Sequence, residues 1–181
     1  MKKIMFNDKY GLTQAVLEGR KTQTRRTFLK PGEENLLHVI TSEYLISVRS
    51  RYKVGETVAI AQPYADITPQ VDWVKCMIRK ETLGWNNKMF VRAEDMPHHI
   101  RITKISIERL QDIKSEDCLN EGLWRAGDVG LEGTTYWYHG LVNSSFRTPQ
   151  EAYASLIDRI SGKGTWESNP YVFVYDFELI S

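Results

Sequence analysis

The chain has 181 residues, 41% of them hydrophobic and 11% aromatic, which supports a packed core and excludes wholesale disorder. Its net charge of +1 excludes a protein that coats duplex DNA by charge alone, although a local basic patch can still grip one nucleotide or a short single strand. A length of 181 residues fits one domain carrying insertions.

Residues 1–11 hold no apolar run of signal-peptide length, and no window approaches a membrane span, so the expected setting is cytoplasmic, without membrane attachment. Cys76 and Cys118 lack metal spacing and are expected as reduced thiols. No metal or cofactor is expected: His98 and His99 are adjacent and would diverge in a strand, and His38 and His139 are isolated.

Leu12, Ala15 and Val16 fall at helical spacing, and Gly19 supplies a stop, which predicts a short helix over 11–18. Residues 19–31 (GRKTQTRRTFLKP) then carry Arg20, Lys21, Arg25, Arg26 and Lys30 with no carboxylate. Thr22, Thr24 and Thr27 lie between the charges. This is either an anion site, phosphate being the natural match for Arg, or a solvated basic loop beside a helix C-terminus.

Residues 31–53 are mixed, with Leu36, Leu37, Val39 and Ile40 in a strand or a helical turn. Val54, Gly55 and Glu56 form a turn into a strand over 57–61 that Pro63 stops. Residues 63–71 are turn-like, residues 71–78 alternate loosely as a further strand, and 79–97 read mostly as loop. Ile100 and Ile102 share one face of a strand and Ile105 and Ile107 the other, so a bulge is predicted near Thr103 and Lys104.

Ser115 is read as the N-cap of a short helix containing Glu116 and Asp117 and ended by Gly122. Residues 125–147, rich in glycine and aromatics, read as an insertion or long loop; within them Tyr136, Trp137, Tyr138 and His139 stack on a base, cover a cleft or pack down. Thr148, Pro149 and Glu151 form a capping box with proline at the first helical position, and Ala152, Tyr153, Leu156, Ile157 and Ile160 make one apolar face before Gly162. Residues 162–165 read as a linker. Tyr171, Phe173, Tyr175, Phe177 and Leu179 alternate along a final strand as core, or as a stacking platform. Short strands, short helices and no repeats predict an α+β fold with a small β-barrel.

Gly19, Lys21 and Arg26 resemble the signature of the ASCH domain, a branch of the PUA-like superfamily, with Thr24 standing where that family usually has Glu. The substitution is shared with a subgroup similar to the N4-acetylcytidine amidohydrolases. Residues 52–56 (YKVGE), 101–122 and 162–177 resemble the family's later elements, including those of phage-encoded members. The resemblance implies a single domain over 1–181: a PUA-like barrel with short flanking helices and insertions at 63–98 and 125–147. It also implies a cleft between the GRKTQTRR loop and the helix of Glu121. The expected ligand is RNA or a modified nucleoside or nucleotide, held by Gly19, Arg20, Lys21, Arg25 and Arg26.

The alternative that follows from the subgroup is an amidohydrolase acting on an N4-acylated cytidine or a similar small amide, with Lys21, Thr24 and Glu121 as its working residues. In that chemistry Thr24 is the nucleophile, Lys21 the base and Glu121 its support. A strand through 21–24 would put Lys21 and Thr24 on opposite faces, so this reading requires a turn at Thr22 and Gln23. A further alternative is a phage or mobile-element accessory protein that works through protein contacts, motivated by the two insertions.

Overall fold

The structure, a computed structural model, describes residues 1–29, 33, 35–67, 80–126, 134–140 and 145–180. Its strands are β1 (Lys2–Ile4), β2 (Gln23–Thr27), β3 (Thr57–Ile60), β4 (His99–Arg109), β5 (Trp124–Ala126), β6 (Thr135–Trp137) and β7 (Tyr171–Leu179). Its helices are α1 (Leu12–Leu17), α2 (Leu36–Val39), α3 (Ser42–Arg49), α4 (Tyr64–Ile67), α5 (Ser115–Asn120), α6 (Pro149–Ser161) and α7 (Thr165–Ser168). Single 3-10 turns add residues 88–90 and 93–95 within the stretch read as loop.

Five strands form one mixed sheet in the order β1-β3-β4-β7-β2. Only β1 and β3 run parallel; the other pairs are antiparallel. The long pair β4 and β7 is the spine, and its register slips between Ile102 and Lys104. That bulge is where the isoleucine pattern changed face. It lets Ile100 and Ile102 reach the core on one side of Thr103 while Ile105 and Ile107 pack against it on the other.

The expected barrel is not closed. Among the described residues β1 and β2 remain the two sheet edges. What bridges them is a side chain: Arg26 Nη2 of β2 donates to the carbonyl of Met5, just past β1, at 2.7 Å. With three residues, β1 is too short to offer β2 a ladder, and the chain turns off into the Asn7–Gly11 region. A second sheet, the antiparallel ribbon of β5 and β6, runs from Trp124 into the segment read as an insertion at 125–147.

The main core joins both faces of β7 to residues from α1, α5 and α6. Phe173, Tyr175 and Phe177 are buried and meet Phe28, Tyr52 and Phe6 respectively, so the aromatic stripe is core and not a stacking platform. A smaller cluster (Ala59, Ala61, Tyr64, Ile67, Val91, Ala93 and Met96) seats much of the described part of 63–98 against β3.

α6 carries the anticipated capping box, with Thr148 Oγ1 accepting from the Glu151 amide and Glu151 accepting from the Thr148 amide. Three helices depart from the expectations. α4 replaces a turn, and α7 begins at Thr165, the last residue of the stretch read as a linker. α3 was hidden because it buries only Leu45 and exposes Tyr44 and Val48, leaving no apolar stripe to read. At α5 the N-cap is Lys114, not Ser115. The strand expected over 71–78, Cys76 and Lys30 lie outside the described residues. No helix among the described residues is long and apolar enough to cross a membrane.

Candidate functional site

Helix α1 ends at Gly19, whose φ of +72° turns the chain through the left-handed region. The Arg20 and Lys21 amides both fold back onto the Ala15 carbonyl, and the Thr22 amide donates to the Asn120 carbonyl at the end of α5. Phe177 of β7 then donates to the Thr22 carbonyl, and β2 begins at Gln23. Lys21 is therefore held before the strand starts, between the ends of two helices. This is the break that lets Lys21 and Thr24 line the same cavity.

The Lys21 side chain is 1% exposed and that of Glu121 is 6% exposed. Lys21 Nζ donates to Glu121 Oε2 at 2.5 Å, to the Glu121 carbonyl at 2.9 Å and to the Gln23 carbonyl at 2.8 Å. An ammonium has three protons, and here each has an oxygen. Burial draws the Lys21 pKa below the usual lysine range; the Glu121 carboxylate opposes that shift, and Arg26 and Arg25 add to it.

Arg25 completes the network. Its Nη1 donates to Glu121 Oε1 at 3.1 Å and to the Gln23 side chain, and its Nε and Nη2 both reach Glu108 at 2.7 Å. Asp117 lies 3.5 Å from Nη2. Burial opposes the charge on Arg25, but Glu121, Tyr153 and Glu108 together hold its pKa above the ordinary arginine value. Gly122 follows Glu121 with a φ of +100°, and a Cβ there would meet Ala15 Cβ at 3.2 Å and Lys21 Cβ at 3.4 Å. Only glycine lets α5 come this close to Lys21.

Lys21, Arg25 and Glu121 floor a cavity of about 730 Å³. Phe6, Leu12, Leu156, Ile157 and Ile160 form its apolar walls, so the outer part of the α6 apolar face lines a hollow instead of packing shut. Thr24 and Tyr153 also line it, and neither hydroxyl has a hydrogen-bond partner among the described residues. Burial, reinforced by Glu121, pushes the Tyr153 pKa well above its ordinary value, so that hydroxyl keeps its proton. Lys9, Arg26 and Lys88 add positive charge. Lys88 is tied to Asp8 at 2.7 Å and to the Phe6 carbonyl.

The sequence-derived site residues thus divide. Lys21, Thr24, Arg25, Arg26 and Glu121 line one cavity, whereas Gly19 and Arg20 do not. Arg20 pairs with Glu18 and lies 3.6 Å from the Trp124 ring centre, and Trp124 in turn stacks on Trp137. Tyr138 packs edge-on against Tyr10 and bonds Ser155, which fixes that ring as packing. The charge reading of 19–31 is also revised. Arg20, Lys21 and Arg25 each have carboxylate partners, leaving Arg26 as the described cation of that stretch without one. Tyr153 was visible in the sequence only as a core position on α6, and Lys88 carried no signal. Among the described residues no group of three His, Cys, Asp or Glu side chains is placed to hold a metal ion.

Fold and site define an α+β protein whose open five-stranded sheet carries a cleft with a buried Lys–Glu–Arg floor and apolar walls. No protein-family model matches the chain, and no curated protein matches it. Among solved structures it is similar to the crystal structure of protein EF3133 from Enterococcus faecalis V583, described under the family model DUF984. That likeness has 14% identity and a TM-score of 0.45, and spans 99% of this chain and 77% of the other.

Proposed function

We propose that the cleft binds a nucleoside, free or as one unit of an RNA strand. The observation that carries this reading is the convergence of an ionic floor, two hydroxyls without a hydrogen-bond partner among the described residues and apolar walls in a single cavity of about 730 Å³. Small-molecule sites fall at roughly 300–1,000 Å³ and combine apolar walls with a few polar groups. A nucleobase is a flat ring with a polar edge. Phe6, Leu156 and Ile157 suit its faces, and Thr24, Tyr153 and Glu121 suit its donors and acceptors. Each Glu121 oxygen receives one hydrogen bond and a carboxylate accepts about four, so capacity remains for an exocyclic amine. Arg26, exposed and without a carboxylate partner among the described residues, is placed to meet a phosphate.

The test is calorimetric titration with the common ribonucleosides and a short single-stranded RNA at low salt. Saturable binding that weakens at least tenfold in Arg26→Ala for the RNA, with affinity falling as salt rises, supports the reading. Absence of binding to every probe at low salt refutes it.

A second reading, hydrolysis of an N4-acylated cytidine or a similar amide, is favoured by one observation: the Thr24 hydroxyl, without a hydrogen-bond partner among the described residues, lines the same cavity as Lys21 and Glu121. With all three Nζ protons engaged, Lys21 has no lone pair to offer. It gains one by passing a proton to Glu121, and the neutral amine then takes the Thr24 proton as Oγ1 attacks the acyl carbon. Lys21 passes that proton on to the departing N4 nitrogen as the C–N bond breaks, leaving an acyl-threonine and the freed amine, and water then releases the acid. Incubation with N4-acetylcytidine decides the matter: release of cytidine by the wild type, lost in both Thr24→Ala and Lys21→Ala, supports it. Equal rates in all three proteins exclude it for that substrate.

A further inference from the structure

A second cavity, of about 350 Å³, adjoins the first. The two share Met5, Arg26 and Thr27, so Arg26 lies along both. Lys3, Arg49 and Arg51 are its other described cations, and among the described residues no carboxylate lines it. Arg49 is paired with Glu33 at 3.2 Å, and Lys3 Nζ donates to the Met89 and Val91 carbonyls. Arg26 and Arg51 have no carboxylate partner among the described residues. Among the described residues one N–H of Arg26 is used, by the Met5 carbonyl, and an arginine has five.

The charges lie close enough to act on one another. Burial and then Arg51 lower the pKa of Lys3; burial raises that of Tyr52, with Arg51 and Arg26 opposing the shift and Glu56 adding to it. Tyr52 and Tyr175 do not offset this charge. The Tyr52 hydroxyl is spent on the Lys3 carbonyl, and that of Tyr175 on Ser50 Oγ at 3.2 Å. Arg26 and Arg51, which have no carboxylate partner among the described residues, raise the local potential, which an arriving anion relieves. A phosphate monoester brings a charge of about −1.5 to −2 near neutrality and three acceptor oxygens, the complement of a guanidinium fork.

We propose that this second cavity is the phosphate subsite of the cleft, so that its ligand is a nucleotide unit with its base in the larger cavity and its phosphate between Arg26 and Arg51. This deepens the nucleoside reading and rests on it. Arg51 is the discriminating residue because it lines only the second cavity and its side chain is on the surface.

The experiment is calorimetric titration of wild type and Arg51→Ala with ribonucleosides, their 5′- and 3′-monophosphates, and inorganic phosphate, with urea midpoints confirming that the variant is folded. The expected result is that one monophosphate series binds at least tenfold tighter than its nucleoside. In Arg51→Ala its affinity falls to within threefold of that of the wild type for the nucleoside. Equal affinity for nucleoside and both monophosphates overturns the phosphate subsite and leaves the nucleoside reading standing. Inorganic phosphate binding that Arg51→Ala abolishes, with nucleotides no tighter than phosphate, overturns the nucleoside reading and keeps the anion site. Binding by none of the probes overturns both.

Discussion

Replacing Glu121 by Gln removes the one negative charge that two buried cations share. Arg25 keeps Glu108 and Asp117, so the loss falls on Lys21, whose ammonium is left enclosed with only neutral oxygens around it. Breaking a buried pair by deleting one partner costs about 3–5 kcal/mol. For a chain of this length that is roughly 6–20 °C in Tm. The cost depends on pH with a definite sign. Burial already sets the folded-state pKa of Lys21 below the ordinary lysine value of 10.5. Between those two values the unfolded chain holds more protons than the native one, so stability rises with pH. Without Glu121 the folded value drops further, and the window opens at lower pH. The destabilisation of Glu121→Gln is therefore largest near pH 6 and shrinks toward pH 9. Urea unfolding of both proteins across that range measures it. Adding Lys21→Met to Glu121→Gln recovers most of the loss, because no bare charge remains inside. A cost below about 1 kcal/mol that is equal at pH 6 and pH 9 matches a solvated surface pair and refutes the buried network.

Three further outcomes are expected. Gly122→Ala forces a side chain into a positive-φ position against Ala15 and Lys21, and loses about 1–3 kcal/mol by chemical denaturation. Thr148→Ala removes the capping box of α6 and costs about 1 kcal/mol, read as a lower urea midpoint with an unchanged slope. Thr24→Val deletes a hydroxyl that makes no hydrogen bond among the described residues, so its stability stays within about 0.5 kcal/mol of wild type; a larger loss shows that the hydroxyl has a structural partner.

Much of the local structure was written in neighbouring residues. The capping box of Thr148 and Glu151, the alternation through β7, and the change of face near Thr103 each depend on side chains a few positions apart, so periodicity and capping chemistry suffice to read them. Helices α3 and α4 escaped because they are short and bury little, or bury it against a segment with no periodic signal. Lys21, Thr24 and Glu121 were singled out through the GRKTQTRR stretch and its resemblance to the ASCH signature. Tyr153 read as core, and Lys88 not at all, since neither position departs from an ordinary pattern.

What the chain alone determined is the supply of charges, hydroxyls and apolar faces. Which of them are spent on one another was decided only in three dimensions. Glu121 meets Lys21 across 100 positions, Glu108 meets Arg25 across 83, and Arg26 is left with the carbonyl of Met5. The same basic stretch would serve as a solvated loop if those acids lay elsewhere. It becomes the floor and rim of a cleft because burial makes an unpaired charge costly, and because the open sheet edges bring β2 against the turn after β1.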